Sequence, residues 1–576
     1  MWLKCLHQGM RTVYIFIFAL VFLTACQTVT SPRSGLTISS PTLVAPTQPV
    51  PKATAVPPTA TAQPTSTPRP TPAPVTIGFD TVVPDEMRTA VAAVVAEHPA
   101  QFVLTDTEAE LRLTVQEEAP IGQWIFAVVA PFPTFADDIS LAEVQAAWQH
   151  GSLILTPEMD TILHGWWGEP ATTATIVAPE TLINTLWQTQ TTYDEPVLSI
   201  LPFAQLDPRL KVLAVSGHSP ISVNFDAESY GLKLSVGWER AETANPERID
   251  TAVSQLSTLL TRPLTNRHDD QLTHITMTGP SGLSRAVADR MEKHGYQYPG
   301  EEIAPIMQAA DIAHMSHENA FAPDCPDPKP TGGTTFCAQP KTIELMKWLS
   351  VDVVELTGNH LNDWGKHNFS FTLDLYDEVG MQRYGGGRNL EDAGKPLLIE
   401  HNGNKIAFVG CNPVGPFNVW ATEDAPGALP CGDYSFNIAQ IQELVAQDYV
   451  VVGSIQFVEH FQYNVFQPQR DAFMGFARAG ASIVHGAHGH HPMGFAFSDD
   501  HFVHYGTGNT FADQMFSLGT RQMFVNTYVV YNGRLLSIEL WTGMIEDYAR
   551  PRKMTSAERI QLLQSVFDGS DFSLGK

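Results

Sequence analysis

Asn359, His360 and Asp363 stand together where an apolar run ends, in Val351-Asp-Val-Val-Glu-Leu-Thr-Gly-Asn-His-Leu-Asn-Asp-Trp-Gly365. An amide oxygen, an imidazole nitrogen and a carboxylate can all serve a divalent cation, and the carboxylate can equally orient the histidine from behind. The competing reading is a polar turn, since Asn, Asp and Gly dominate turns. A second group shifts the balance. Ala481-Ser-Ile-Val-His485 reads as a short buried strand that runs into Gly486-Ala-His-Gly-His-His-Pro492. In His488-Gly489-His490 the spacing lets two imidazoles face one ion, with Gly489 relaxing the backbone between them.

Both groups follow β-type runs, the position in which an open α/β sheet builds its sites. Around them a strand-then-helix rhythm repeats: His274 to Thr278 then Gly282 to His294, Val351 to Leu356 then Asn368 to Val379, and Tyr449 to Ile455 then Pro468 to Ala479. Hairpin signals at Asn402-Gly403 and Asn532-Gly533 predict mixed sheets, and Arg559 to Phe567 reads as a closing amphipathic helix. Upstream, strand-like runs (Val75 to Phe79, Leu111 to Val115, Trp124 to Ala130) alternate with helix-like ones (Pro84 to Glu97, Ser140 to His150) and carry no metal-type cluster. Trp148, Trp166 and Trp167 in this region fit either a core or the lining of a ligand cleft. So long a chain exceeds one ordinary core, which predicts two domains, 76–267 and 268–576. The second is expected to fold from about Asn266 onward.

The N-terminus predicts export. Lys4 and Arg11 give a basic region ahead of the apolar stretch Thr12 to Ala25, which is shorter than the ~20 residues a membrane span needs and suits a signal peptide over 1–26. Leu23-Thr24-Ala25-Cys26 resembles the bacterial lipobox, which implies a lipid on Cys26 and a place on the extracytoplasmic face of the cell membrane. Residues 27–75, rich in Thr, Pro, Ala and Ser, read as a disordered tether. Five of the 34 basic residues precede Asp80 and no acidic residue does, so the remainder carries 29 basic against 61 acidic residues, a net of −32. Such a field disfavours nucleic acid and attracts cations. Four cysteines lie beyond the tether, and an exported chain without C-x-x-C spacing predicts local disulfides, Cys325 with Cys337 and Cys411 with Cys431, over a zinc site.

Thr357-Gly-Asn-His360, followed by Asp363, Gly365 and the His488-Gly-His490 block, resembles the calcineurin-like metallophosphoesterase superfamily, and more closely its CapA-type capsule (poly-γ-glutamate) synthesis branch. The likeness runs from about Leu272 to Gln514. It includes Glu318 in Met315-Ser-His-Glu-Asn319, the Tyr384-Gly-Gly-Gly-Arg-Asn389 loop and Tyr505-Gly-Thr-Gly-Asn509. The resemblance implies an α/β fold: a metallophosphoesterase-like mixed β-sandwich flanked by helices. It also implies a divalent metal ion held by Glu318, Asn359, His360, Gln456, His488 and His490, with His360, Asp363 and Glu459 in catalytic roles. Two departures stand out. Thr278-Gly279-Pro280 replaces the family's Gly-Asp, withdrawing a carboxylate, and Gln456 stands where a histidine is usual. Phrases in Ile139 to Gly151 and Leu201 to Leu213 are similar to type 2 periplasmic solute-binding proteins, implying an N-terminal α/β domain of that kind.

Two functions follow from these readings. One is binding of a cell-envelope polymer or small-molecule ligand during capsule or poly-γ-glutamate synthesis, export or anchoring. The other is metal-dependent hydrolysis of a phosphoester or an amide. No G-x-S-x-G elbow, P-loop or dinucleotide fingerprint supports a third class.

Overall fold

Valine- and isoleucine-rich runs such as Val450–Gln456 and Ile483–Ala487 are buried along their whole length, as strands covered on both faces must be. They form the middle of a six-stranded sheet ordered Leu397–His401, Asn404–Cys411, Val450–Gln456, Ile483–Ala487, His501–His504, Phe495–Ser498, parallel at its centre and antiparallel at both edges. A seven-stranded sheet faces it, ordered Gln382–Tyr384, Val353–Glu355, Ile312–His317, Leu272–Ser281, Gln522–Tyr531, Arg534–Glu546, Arg550–Lys553. Its first four strands are parallel and the rest antiparallel. Both predicted hairpins form, and Asn402, Gly403, Asn532 and Gly533 all take positive φ, the geometry a two-residue turn needs to match strand twist. The computed structural model describes residues 73–331, 333 and 336–572. The expected signal peptide, Cys26 and nearly all of the expected tether lie outside the described residues.

Ile275, Phe408, Val452, Ile483, Phe502 and Tyr528 fill the space between the two sheets. Helices Arg285–His294, Ile343–Trp348 and Lys366–Val379 cover the outer face of the seven-stranded sheet, and Ser435–Val445 with Gln467–Arg478 cover that of the other. The result is a sandwich of mixed sheets with helices outside. Cys325–Cys337 and Cys411–Cys431 are both bridged, tying loops beside these strands.

Residues 75–265 supply a separate nine-stranded sheet built around Gly122–Pro131, with helices packed upon it. Trp148 is fully buried there and donates to the Gly168 carbonyl at 3.2 Å, so it belongs to the core. Trp166 and Trp167 stack on each other, partly buried against the same core. The change from one sheet to the next falls between Leu264–Thr265 and Leu272–Ser281, yet the packing does not stop there. Leu272, Val529, Tyr531 and Leu536 complete the core of the nine-stranded sheet. Phe132, just past Pro131, inserts among Phe495, Phe497, Phe502, Phe567 and Phe572 at ring separations of 5.3–6.5 Å. Asn266 pairs both ways with the Ile125 backbone at 2.9 Å. The described residues from 73 to 572 therefore pack as one compact unit. Among the described residues no helix is long and apolar enough to cross a membrane.

Candidate functional site

Strands from both sheets end at one crevice. Ile312–His317 delivers Glu318, the loop after Val353–Glu355 delivers Asn359 and His360, and Ile483–Ala487 delivers His488 and His490. These five residues line a cavity of about 630 Å³ together with Arg285, Phe336 and Glu459. Ligating atoms of Glu318, His488 and His490 lie within 4.8 Å of one another, and all three side chains are buried.

Each crevice histidine is held from behind. His360 places Nδ1 2.7 Å from Asp363 Oδ2, His488 Nδ1 is 2.7 Å from the Phe457 carbonyl, and His490 Nδ1 is 2.6 Å from Asn509 Oδ1. All three acceptors are oxygens. The orientation of the Asn509 amide is fixed because its nitrogen donates to the His490 and Thr520 carbonyls. Nδ1 therefore carries the proton in each neutral ring, which leaves the Nε2 lone pairs of His488 and His490 for a metal ion, whereas Nε2 of His360 lies 3.4 Å from the Asn359 amide nitrogen. His490 Nε2 stands 3.9 Å from Glu318 Oε2 and 3.8 Å from Glu459 Oε1.

Burial pushes the Glu318 carboxyl upward, but His490, His488 and His360 with the hydrogen bond from Gln456 outweigh it, so Glu318 stays ionised below its ordinary range. Burial and the neighbouring His490 hold His488 down, which favours the neutral, ligating form. Burial opposes the charge on His360, yet Asp363 and Glu318 raise it above its ordinary value. One carboxylate and two imidazoles converging on one point are a donor set that fits a divalent cation.

The remaining expected residues sit around this centre rather than in it. Gln456 is fully buried and does not line the cavity; its amide donates to Glu318 Oε1 at 3.0 Å and to Asn359 Oδ1 at 3.2 Å. Asp363 stands behind His360 and also accepts from the Phe336 amide at 2.9 Å, so it orients the ring. Glu459 is exposed at the rim. His491 turns away to pack on Tyr463. Backbone freedom is used at His488, whose φ is 65°, and not through a positive φ at Gly489, where close approach matters instead: a Cβ there would come 3.0 Å from Gly506 Cα. Pro280 lies inside its strand at a register shift, its carbonyl accepting from the Thr510 amide, and Gly282 rather than Pro280 faces the cavity. His485 points into the sandwich 5.8 Å from His314, and burial holds it near 4, hence uncharged.

Three contributors went unread in the sequence. Arg285 lies over the Phe336 ring at 4.4 Å and pairs with Asp513 at the crevice wall. Asn319 places a buried, unpartnered Oδ1 beside it. Asn509 anchors His490. Asn319 and Asn509 closed segments noticed for other residues, whereas nothing near Arg285 in sequence marks it, because its partner lies 228 positions away.

With this geometry in view, comparison with known proteins is informative for the sandwich. The family described as "Bacterial capsule synthesis protein PGA_cap" matches residues 274–514. The capsule biosynthesis protein CapA of Bacillus anthracis is 23% identical over 302 residues, 51% of this chain and 72% of that protein. The PGA biosynthesis protein CapA of Bacillus subtilis (strain 168) is 22% identical over 312 residues, 54% of this chain and 82% of that one. Among solved structures, an ABC-type phosphate transport receptor from Vibrio cholerae covers 32% of this chain and 93% of its own at 12% identity, with a TM-score of 0.26, too low to support an argument. Residues 274–514 are thus similar to CapA-type capsule synthesis proteins, and every donor of the candidate metal centre falls inside that span.

Proposed function

We propose that this protein takes part in capsule or poly-γ-glutamate assembly, holding one divalent ion on Glu318, His488 and His490 and a segment of anionic polymer across the crevice. The observation that carries the reading is the convergence of three preset donors at the end of a sandwich similar to CapA-type proteins. The fold is read as metallophosphoesterase-like, with a degenerate ligand set. A net charge of −32 over the body would repel a polyanion. When bound, the ion would supply the missing local positive charge as a Lewis acid for polymer carboxylates. Arg285 on the same wall is already paired with Asp513, so the ion would be the main source of that charge. The N-terminal sheet is read as a solute-binding-like module, and Cys26 as the lipid anchor that keeps the whole at the extracytoplasmic face.

Elemental analysis of the purified chain before and after chelation tests the core of this reading. About one divalent ion per chain is expected, with poly-γ-glutamate binding lost on chelation and restored by the ion. A chain that takes up no ion when offered zinc, manganese or magnesium would remove the metal centre. The second reading, hydrolysis of an amide or phosphoester, is favoured by the His360–Asp363 pair, a geometry suited to moving a proton at Nε2. Metal-dependent cleavage of polyglutamate or of a model phosphodiester by the unaltered chain would establish that reading over polymer holding.

A further inference from the structure

A second cavity, of about 310 Å³, shares no lining residue with the metal crevice. It opens where the nine-stranded sheet meets the sandwich. On one wall Asp137 is gripped from two sides: Lys211 Nζ lies 2.7 Å away, and Arg559 Nε and Nη2 each donate at 2.7 Å. These three charges are largely spoken for. Two others are not.

Glu539, on Arg534–Glu546, and Lys553, on the neighbouring strand Arg550–Lys553, both line the cavity, and neither side chain has a hydrogen-bond or ion-pair partner among the described residues. Burial pushes the Glu539 carboxyl up to about 7, against a weaker opposing pull from His274. A half-buried carboxylate without a counter-charge is costly, and a ligand ammonium would relieve that cost. The full lining carries Lys211, Lys553 and Arg559 against Asp137 and Glu539, an excess of one positive charge. A simple amine would meet that excess, whereas a molecule bearing both an ammonium and a carboxylate would match the free pair. Phe132, Leu540, Leu563 and Phe567 give the cavity an apolar side, and its volume is near the lower end, about 300 Å³, of small-molecule sites.

We propose that this cavity binds a free α-amino acid, its ammonium on Glu539, its carboxylate on Lys553 and its side chain against the phenylalanine wall. Nothing in this assignment depends on the metal crevice. Isothermal titration of the purified full chain with each of the standard amino acids provides the test. At least one is expected to bind with a Kd of about 1 mM or tighter, and Glu539→Gln and Lys553→Gln are each expected to weaken it about ten-fold or more. Where a variant fails to fold, ligand analogues on the unaltered chain make the same measurement: the N-acetylated amino acid and the decarboxylated amine should both lose about ten-fold. Binding should persist in His488→Ala, so failure of the polymer reading leaves this one standing. If no amino acid binds, if Glu539→Gln binds the preferred one unchanged, or if either blocked analogue binds as tightly as its parent, the assignment is wrong.

Discussion

Phe132→Ala would probe whether the nine-stranded sheet and the sandwich share one core. The Phe132 ring is 2% exposed and touches five other aromatic rings, all from Phe495 to Phe572. Removing a buried phenylalanine ring typically costs about 3–5 kcal/mol. Edge-to-face pairs such as those with Phe495 and Phe497 add ~0.5–1.5 kcal/mol each beyond area, although not additively. A loss of about 4 kcal/mol is therefore expected, a large part of the ~5–15 kcal/mol that holds a typical domain together. Urea unfolding followed by tryptophan fluorescence and circular dichroism is the assay. Tryptophans lie in both halves, so the optical signals report on each. Both probes should shift together. Phe436→Ala is the control: Phe436 is 54% exposed, and its change should stay within about 0.5 kcal/mol. A Phe132→Ala effect below about 1 kcal/mol, or two resolved transitions of which only one moves, would refute the shared core.

Replacing Cys411 and Cys431 by alanine opens a loop of 20-residue separation and should cost about 3 kcal/mol, with non-reducing peptide maps confirming the native pairing. Asn509→Ala frees His490 Nδ1 and should loosen the bound ion by about 10–100-fold in chelator competition; unchanged affinity would mean that Asn509 does not set the ring. Because the Glu539 carboxyl is raised from 4.5 to about 7, the folded state holds a proton that the unfolded chain has already lost, so stability falls as pH climbs across that interval. Glu539→Gln should match the parent below pH ~4.5 and exceed it by at most about 3 kcal/mol above pH ~7, and the opposite trend in thermal melts would overturn the assignment. Cys26→Ser should abolish labelling by a fatty-acid probe if Cys26 carries the lipid.

The elements were largely legible. Val75–Phe79 and Leu111–Val115 fall where the apolar alternation placed them. The helix read from Arg559 begins at Ser556, because Thr555 and Glu558 form a capping box whose Thr-x-x-Glu signature was present but unread. Lys366–Val379 starts two residues before the expected Asn368, its chain entering through Gly365 at φ 92°. At the crevice, His360, His488 and His490 declared themselves by side-chain type at strand ends. Gln456 carried the right address and a different task, since only the structure shows its amide turned under Glu318 and Asn359. Arg285 and its distant partner Asp513 have no local pattern at all. Phe132 is the plainest loss: one phenylalanine after a strand gives no sign that its socket is built hundreds of positions later.

Glu318 rides on one sheet of the sandwich, whereas His488 and His490 ride on the other. The gap between these donors therefore works as a gauge of how far apart the sheets stand and how they are offset. Side chains that never touch the crevice, such as Phe408 and Val452 between the sheets, act as its shims. Trimming one would let the sheets settle closer, and padding one would wedge them apart, because packed interiors pass such changes on instead of absorbing them. Selectivity at the mouth is consequently calibrated in the middle of the sandwich. Variants that alter affinity without altering a single donor should be sought there.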